Sequence, residues 1–113
     1  MLRRVLFVCT GNSECSPMAE NLFRNWKGMW ETKSAGIRPV YGRVALSQEL
    51  VDWADLVVCM EEEHRTFLQA YFKCPPEKAK VANIADRYFR DDPELLRELD
   101  PKVKPILEHP ELT

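Results

Sequence analysis

The stretch VLFVCTGNSECSPMAE, residues 5–20, constrains this chain more than any other. Val5–Val8 is an unbroken apolar run of the kind buried on both faces of a sheet, bounded by Arg4 and by a turn. Ser16-Pro17 reads as a helix start, with Ser as N-cap and Pro at the first helical position, where a missing N–H does no harm. Met18, Leu22, Phe23 and Trp26 then fall on one helical stripe. The turn between strand and helix holds Gly11 and Asn12, which lets successive backbone N–H groups point at one spot in front of the helix. That is an anion cradle. Cys9 stands at its first position, where N–H dipoles favour a thiolate. The competing reading of Cys9 is a small apolar residue that finishes a buried strand.

The rest of the chain alternates strands with helices. Gly28 is expected to cap the first helix, and Trp30–Ser34 to form a short strand ending at Ala35-Gly36. Residues 37–43 carry a Pro and a Gly and read as an exposed loop. A short helix is expected over 44–53, with Leu46, Leu50, Val51 and Trp53 inward. Asp55–Met60 is a second buried strand running into a helix over 61–72, whose stripe is His64, Phe67, Leu68, Tyr71 and Phe72. Cys74-Pro75-Pro76 stops that helix. Lys80–Ile84 is a third apolar strand, followed by a charged loop over 85–92. Asp92-Pro93 opens the last helix, with Leu95, Leu96 and Leu99 inward; Pro101 and Pro105 predict a kink or restart near residue 100. Such alternation implies right-handed crossovers and a small parallel sheet covered on both sides. Ligands of such sheets sit at the carboxyl ends of the strands, so the Cys9 loop, the Met60–Glu61 junction and the 85–92 loop are expected to gather there.

Composition narrows the function classes. With 113 residues, one domain is expected. Sixteen basic against 18 acidic residues give a net charge of −2, which offers no general attraction to nucleic acid or an anionic membrane. The opening MLRRVLFVC has too short an apolar run for a signal peptide, and a cytoplasmic location is expected. Cys9, Cys15, Cys59 and Cys74 show no zinc-type pairing, so reduced thiols are expected, with Cys59 in the core and Cys74 in a loop. Glu61-Glu62-Glu63 are acids favoured by the dipole in a first helical turn, not a metal cluster. His64 reads as a packed helix histidine and His109 as solvent-exposed; no Cys–His pairing supports a papain-like role. No cofactor or metal is expected, and a monomer is the default.

The segments LFVCTGN, SPMAE, SAG at 34–36, WADLVVCM at 53–60 and the stretch 84–95 together resemble the low-molecular-weight protein tyrosine phosphatases, most closely the short bacterial and archaeal members. The resemblance spans nearly the whole chain. It implies a three-layer α/β fold with a four-stranded parallel sheet and helices on both faces. It also implies hydrolysis of a phosphotyrosine-bearing substrate, or at least binding of a small oxyanion. Cys9 then matches the nucleophile, and Thr10, Gly11, Asn12 and Ser13 match loop positions whose amides hold phosphate, with Glu14 and Cys15 completing the loop. Ser16 matches the hydroxyl that supports the thiolate, Asp86 the general acid, and Tyr88 the aromatic beside the substrate. Asp91 and Asp92 are rivals of Asp86, although Asp92 suits an N-cap; Tyr88 or Phe89 could line a groove or pack under the loop.

One departure lies inside the loop. The family pattern places an arginine five residues beyond the nucleophile, directly before Ser-Pro; here that residue is Cys15, preceded by Glu14. A guanidinium there would fork onto two phosphoryl oxygens and stabilise transition-state charge. Its loss costs ~3–4 kcal/mol, roughly 10²- to 10³-fold in rate. A carboxylate within about 4 Å of a phosphoryl group adds ~1–4 kcal/mol of repulsion. Phosphatase turnover is therefore expected to be weak or absent. A non-catalytic pseudophosphatase is the alternative, and a thiol-redox protein similar to arsenate reductases is the third reading. Cys15 could pair reversibly with Cys9 or be a drifted position. Arg87 and Arg90 are either solvated loop charges or cations offered from across the cradle.

Overall fold

The computed structural model describes residues 3–85 and 92–110. In chain order these form β1 (Arg3–Cys9), α1 (Cys15–Phe23), a 3-10 turn (Trp26–Gly28), β2 (Trp30–Gly36), α2 (Gln48–Trp53), β3 (Leu56–Cys59), α3 (Glu62–Tyr71), a second 3-10 turn (Pro76–Lys78), β4 (Ala79–Val81) and α4 (Pro93–Glu108). The sheet is four-stranded, in the order β2-β1-β3-β4, with every pairing parallel. β1 is thus interior, flanked by Ser34 and Val58 at the level of Phe7. Its apolar run is continuous because each face has its own cover. Val5, Phe7 and Cys9 face a cluster built with Met18 and Phe23 of α1 and Leu95, Leu99 and Val103 of α4. Leu6 and Val8 face the other layer, with Val51 of α2 and Leu68 of α3. The three-layer α/β architecture is the one expected.

Several element boundaries differ from expectation, each for a physical reason. α1 starts at Cys15 with Glu14 as N-cap, so Ser16 and Pro17 lie inside the first turn rather than at the cap. Pro17 is tolerated there because first-turn N–H groups have no intrahelical acceptor, and the Ser16 hydroxyl is engaged elsewhere, at Cys9. α1 ends at Phe23, which leaves Leu22 exposed and brings Ala19 into the core instead. Trp26 belongs to the 3-10 turn, edge-on to Phe23 at 5.7 Å between ring centroids. Gly28 does not cap α1; at φ +64 it helps turn the chain into β2.

The helix expected over 44–53 begins only at Gln48, where the Ser47 side chain accepts the Leu50 N–H at 3.2 Å. Residues 44–46 run extended, and Ala45 bridges Gly36. Tyr71 lies off the inner face of α3, exposed, its ring tilted 44° against Phe67 at 4.7 Å between centroids. β4 is shorter than the expected 80–84 strand, but Ala82 and Ile84 continue beside β3 by donating to the carbonyls of Cys59 and Met60, both at 2.8 Å. α4 does not restart near residue 100. It runs continuously through Pro101 and Pro105. Leu95, Leu99, Val103, Ile106 and Leu107 hold it to the sheet, outweighing the hydrogen bonds that two prolines remove, and Leu96 faces solvent.

Candidate active site

The carboxyl end of β1 opens into a turn whose peptides are oriented from behind. Four consecutive carbonyls, Cys9 to Asn12, are taken by the segment that follows β2. Ile37 N–H donates to Cys9 O at 3.0 Å, Arg38 N–H to Thr10 O at 2.8 Å and Val40 N–H to Gly11 O at 3.1 Å. The fourth donor is a side chain: Arg43 Nε–H donates to Asn12 O at 2.7 Å. Since a trans peptide directs its N–H opposite to its C=O, tying the carbonyls back turns the N–H groups forward. Asn12 shows the outcome, its N–H donating to Cys9 Sγ at 3.2 Å. Among the described residues the N–H groups of Gly11, Ser13 and Glu14 have no acceptor. Such a set of unanswered donors at a helix N-terminus is suited to an anion.

Asn12 holds the turn's sharpest residue. Its φ of +54 is left-handed, a conformation Asn tolerates better than most side chains. Its amide fixes that state from both ends: Oδ1 accepts Val44 N–H at 3.0 Å, while Nδ2 donates to Ser16 Oγ and to Ser34 Oγ, each at 3.0 Å. Ser34 Oγ–H in turn donates to the Glu20 carboxylate. Ser16 Oγ, having accepted from Asn12, lies 2.9 Å from Cys9 Sγ, a contact in which either atom could donate, and its O–H also reaches Ala35 O at 3.5 Å. Gly36 closes the site from β2. A Cβ there would stand 2.7 Å from Thr10 O and 2.8 Å from Asn12 N, so no larger residue fits.

His64 ties α3 to the same loop. It is fully buried; its Nδ1 accepts Glu61 N–H at 3.0 Å, which leaves the proton on Nε2 for donation to Thr10 Oγ1 at 2.9 Å. The packed histidine of the sequence reading is thus also a link from the β3–α3 junction to the Cys9 loop. Those two parts of the expected site do gather at one end of the sheet.

The side chains expected to meet phosphate directly are arranged less favourably. Cys15 is buried in the apolar cluster that contains Met18 and Phe23. Glu14, half-buried, accepts from the Ser13 hydroxyl. None of Cys9, Cys15, Cys59 and Cys74 is joined in a disulfide. Burial pushes the Cys59 thiol up to about 12, and burial also raises that of half-buried Cys74. Asp86 and Tyr88, with Arg87, Phe89, Arg90 and Asp91, lie outside the described residues. Asp92 is the N-cap of α4, accepting Glu94 N–H at 2.9 Å. Among the described residues no cluster of three or more His, Cys, Asp or Glu is placed to hold a metal ion. Arg43, Ser34 and the whole strap over 37–44 were not singled out from sequence as parts of the site. The available signal was topological: in a parallel sheet the chain leaving β2 must emerge beside the chain leaving β1.

A parallel α/β sheet whose interior strand ends in a hydrogen-bonded cysteine, at the mouth of a turn running into a helix, defines a three-layer α/β protein with its candidate site at the carboxyl end of β1. The sequence pattern of the family described as low molecular weight phosphotyrosine protein phosphatase matches residues 4–45. A protein-arginine-phosphatase of Geobacillus stearothermophilus is 34% identical, over 72% of this chain and 68% of its own. The crystal structure of a low molecular weight protein tyrosine phosphatase from T. tengcongensis is similar with a TM-score of 0.75 at 26% identity, covering 94% of this chain and 98% of its own. A tyrosine phosphatase from Escherichia coli K30, solved in complex with phosphate, shares the fold with a TM-score of 0.74 at 22% identity, over 96% and 98% of the two chains. The chain belongs to the low-molecular-weight phosphotyrosine protein phosphatase family. No helix among the described residues is long and apolar enough to cross a membrane.

Proposed function

We propose that the loop from Cys9 to Cys15 binds the phosphoryl group of a phosphomonoester, or a comparable tetrahedral oxyanion, with Cys9 as nucleophile and turnover weak or lost. The observation that carries this reading is the orientation of the turn: four carbonyls tied back, Asn12 N–H on Cys9 Sγ, and Ser16 Oγ 2.9 Å from that sulfur. The reaction begins with in-line attack of the Cys9 thiolate on phosphorus as the ester P–O bond breaks. Asp86 protonates the leaving oxygen. Water then attacks phosphorus, the P–S bond breaks, Asp86 takes the water's proton, and the thiolate is restored with release of inorganic phosphate. The retained parts support binding and nucleophilic attack. What the loop itself lacks is an arginine on the phosphoryl oxygens, because the position the family gives to arginine holds buried Cys15.

The same observation favours a second reading, a non-catalytic domain that binds an anion or an anionic partner through the amide cradle. Hydrolysis separates the two. An aryl phosphate, a phosphotyrosine peptide and phosphoarginine, the last suggested by the arginine phosphatase relative, are offered to wild type, Cys9→Ser and Cys15→Arg combined with Glu14→Asn. Wild type is expected near background on all three. The double variant is expected to gain about 10²- to 10³-fold on its preferred substrate. Robust wild-type turnover that disappears in Cys9→Ser would show that the loop works without its arginine. No gain in the double variant, with phosphate binding retained, would favour the non-catalytic reading.

A further inference from the structure

We infer that Arg43 supplies the positive charge of this cradle from behind, through the Asn12–Ser13 peptide, as a positioning residue for anion binding at Cys9. This rests on the oxyanion reading above and names the residue that sustains it without the loop arginine. Three of the four carbonyl ties are made by uncharged backbone N–H groups; the fourth is a guanidinium, 2.7 Å from Asn12 O. A charged donor on a carbonyl polarises the whole peptide, making the N–H on its far side a stronger donor. That far-side group is Ser13 N–H, which has no acceptor among the described residues.

Charge pairing distinguishes Arg43 from its neighbour. Arg38, on the same strap, is tied to the Glu63 carboxylate at 3.1 Å and exposed. Arg43 meets no carboxylate among the described residues; its guanidinium donates to the Asn12 carbonyl. The neighbouring backbone keeps it in place: Val44 N–H is fixed on Asn12 Oδ1, and Arg43 N–H donates to Val40 O at 3.0 Å. Glu14 is the opposing charge on the loop, and Arg43 offsets part of its repulsion toward a bound anion. Arg43 acts on the carbonyl side of the Asn12–Ser13 peptide, not as the forked clamp of a loop arginine. The expected effect is therefore on affinity and on Cys9 reactivity, not full restoration of transition-state stabilisation.

Two variants separate charge from tether: Arg43→Gln keeps an amide donor for Asn12 O without the charge, and Arg43→Lys keeps the charge. Inorganic phosphate is titrated into each while the Ser13 and Gly11 amide resonances are followed, and alkylation of Cys9 by iodoacetamide at neutral pH is timed by peptide mass spectrometry. Arg43→Gln is expected to weaken phosphate binding on the order of tenfold, as for one charge acting across a single peptide unit. It should slow Cys9 alkylation as well, with the thermal midpoint unchanged. Arg43→Lys should stay within about threefold of wild type. Equal losses in both variants, or no loss in either, would overturn the inference. A wild type that binds no phosphate would sink the oxyanion reading instead, and the alkylation rates would still decide whether Arg43 acts on Cys9.

Discussion

Cys9 and Cys59 share a residue type and both end strands at the same end of the sheet, yet their surroundings assign them different chemistry. Cys9 is buried but receives the Asn12 N–H and neighbours the Ser16 hydroxyl. Cys59 is wholly enclosed in the cluster with Leu6, Val8 and Leu68, and that burial raises its thiol to about 12. A group with a raised folded-state pKa keeps its proton in the native chain longer than in the unfolded one. Its stabilisation is fully present below the unfolded value of about 8.5 and is lost as pH climbs toward the folded value. The urea midpoint is therefore expected to fall between about pH 9 and 12, and Cys59→Val should flatten that part of the profile. A slope unchanged by the substitution would assign the alkaline loss to other groups. His64 makes a comparable point about context. Its periodicity marks it as core, and only its partners Glu61 and Thr10 show that it also buttresses the loop.

At the scale of elements, the site depends on how closely β2 approaches the turn after β1. Cys9 and Gly36 are register partners, and Gly36 donates to Val44 O while accepting from Leu46, so its backbone is held on both sides. The atoms nearest an added Cβ are Thr10 O, Asn12 N and Gly11 C, all within 3.0 Å and all backbone. None can yield without moving the cradle itself. Gly36→Ala is expected to lower phosphate affinity by at least about tenfold and to destabilise the fold by ~1–3 kcal/mol, read by titration and by chemical denaturation. Wild-type affinity in this variant would mean that the close approach is not what shapes the turn. The strap itself was hidden from sequence because three of its four ties are backbone N–H groups, which any residue but proline provides. Residues 37–43 consequently looked like a plain exposed loop. Ser16-Pro17 misled in the opposite direction, carrying a strong capping signature while the hydroxyl contacts the cysteine.

For the whole molecule, two apolar layers share one sheet, and their stability is expected to be common property. Leu99 of α4 and Leu68 of α3 are both fully buried, on opposite faces. Leu99→Ala and Leu68→Ala are each expected to remove ~2–5 kcal/mol, and the two losses should add within about 0.5 kcal/mol because the sites share no partners. Both should shift a single unfolding transition; two separate transitions would show that the layers melt independently. This part of the structure was readable in the sequence. The unbroken apolar runs of β1 and β3 mark strands covered twice, and the stripe from Leu95 to Leu99 marks the helix that covers one face. Helix limits were less legible, since α4 survives Pro101 and Pro105 only by virtue of the surface it packs on. A broader consequence comes from the hydrogen bonds between residues 37–44 and the turn after β1. They act as an external mould, setting the contour of the turn from a separate part of the chain. Exchanges of side chain at positions 13 and 14 are then expected to leave that contour standing, because the bonds that set it are made to main-chain carbonyls.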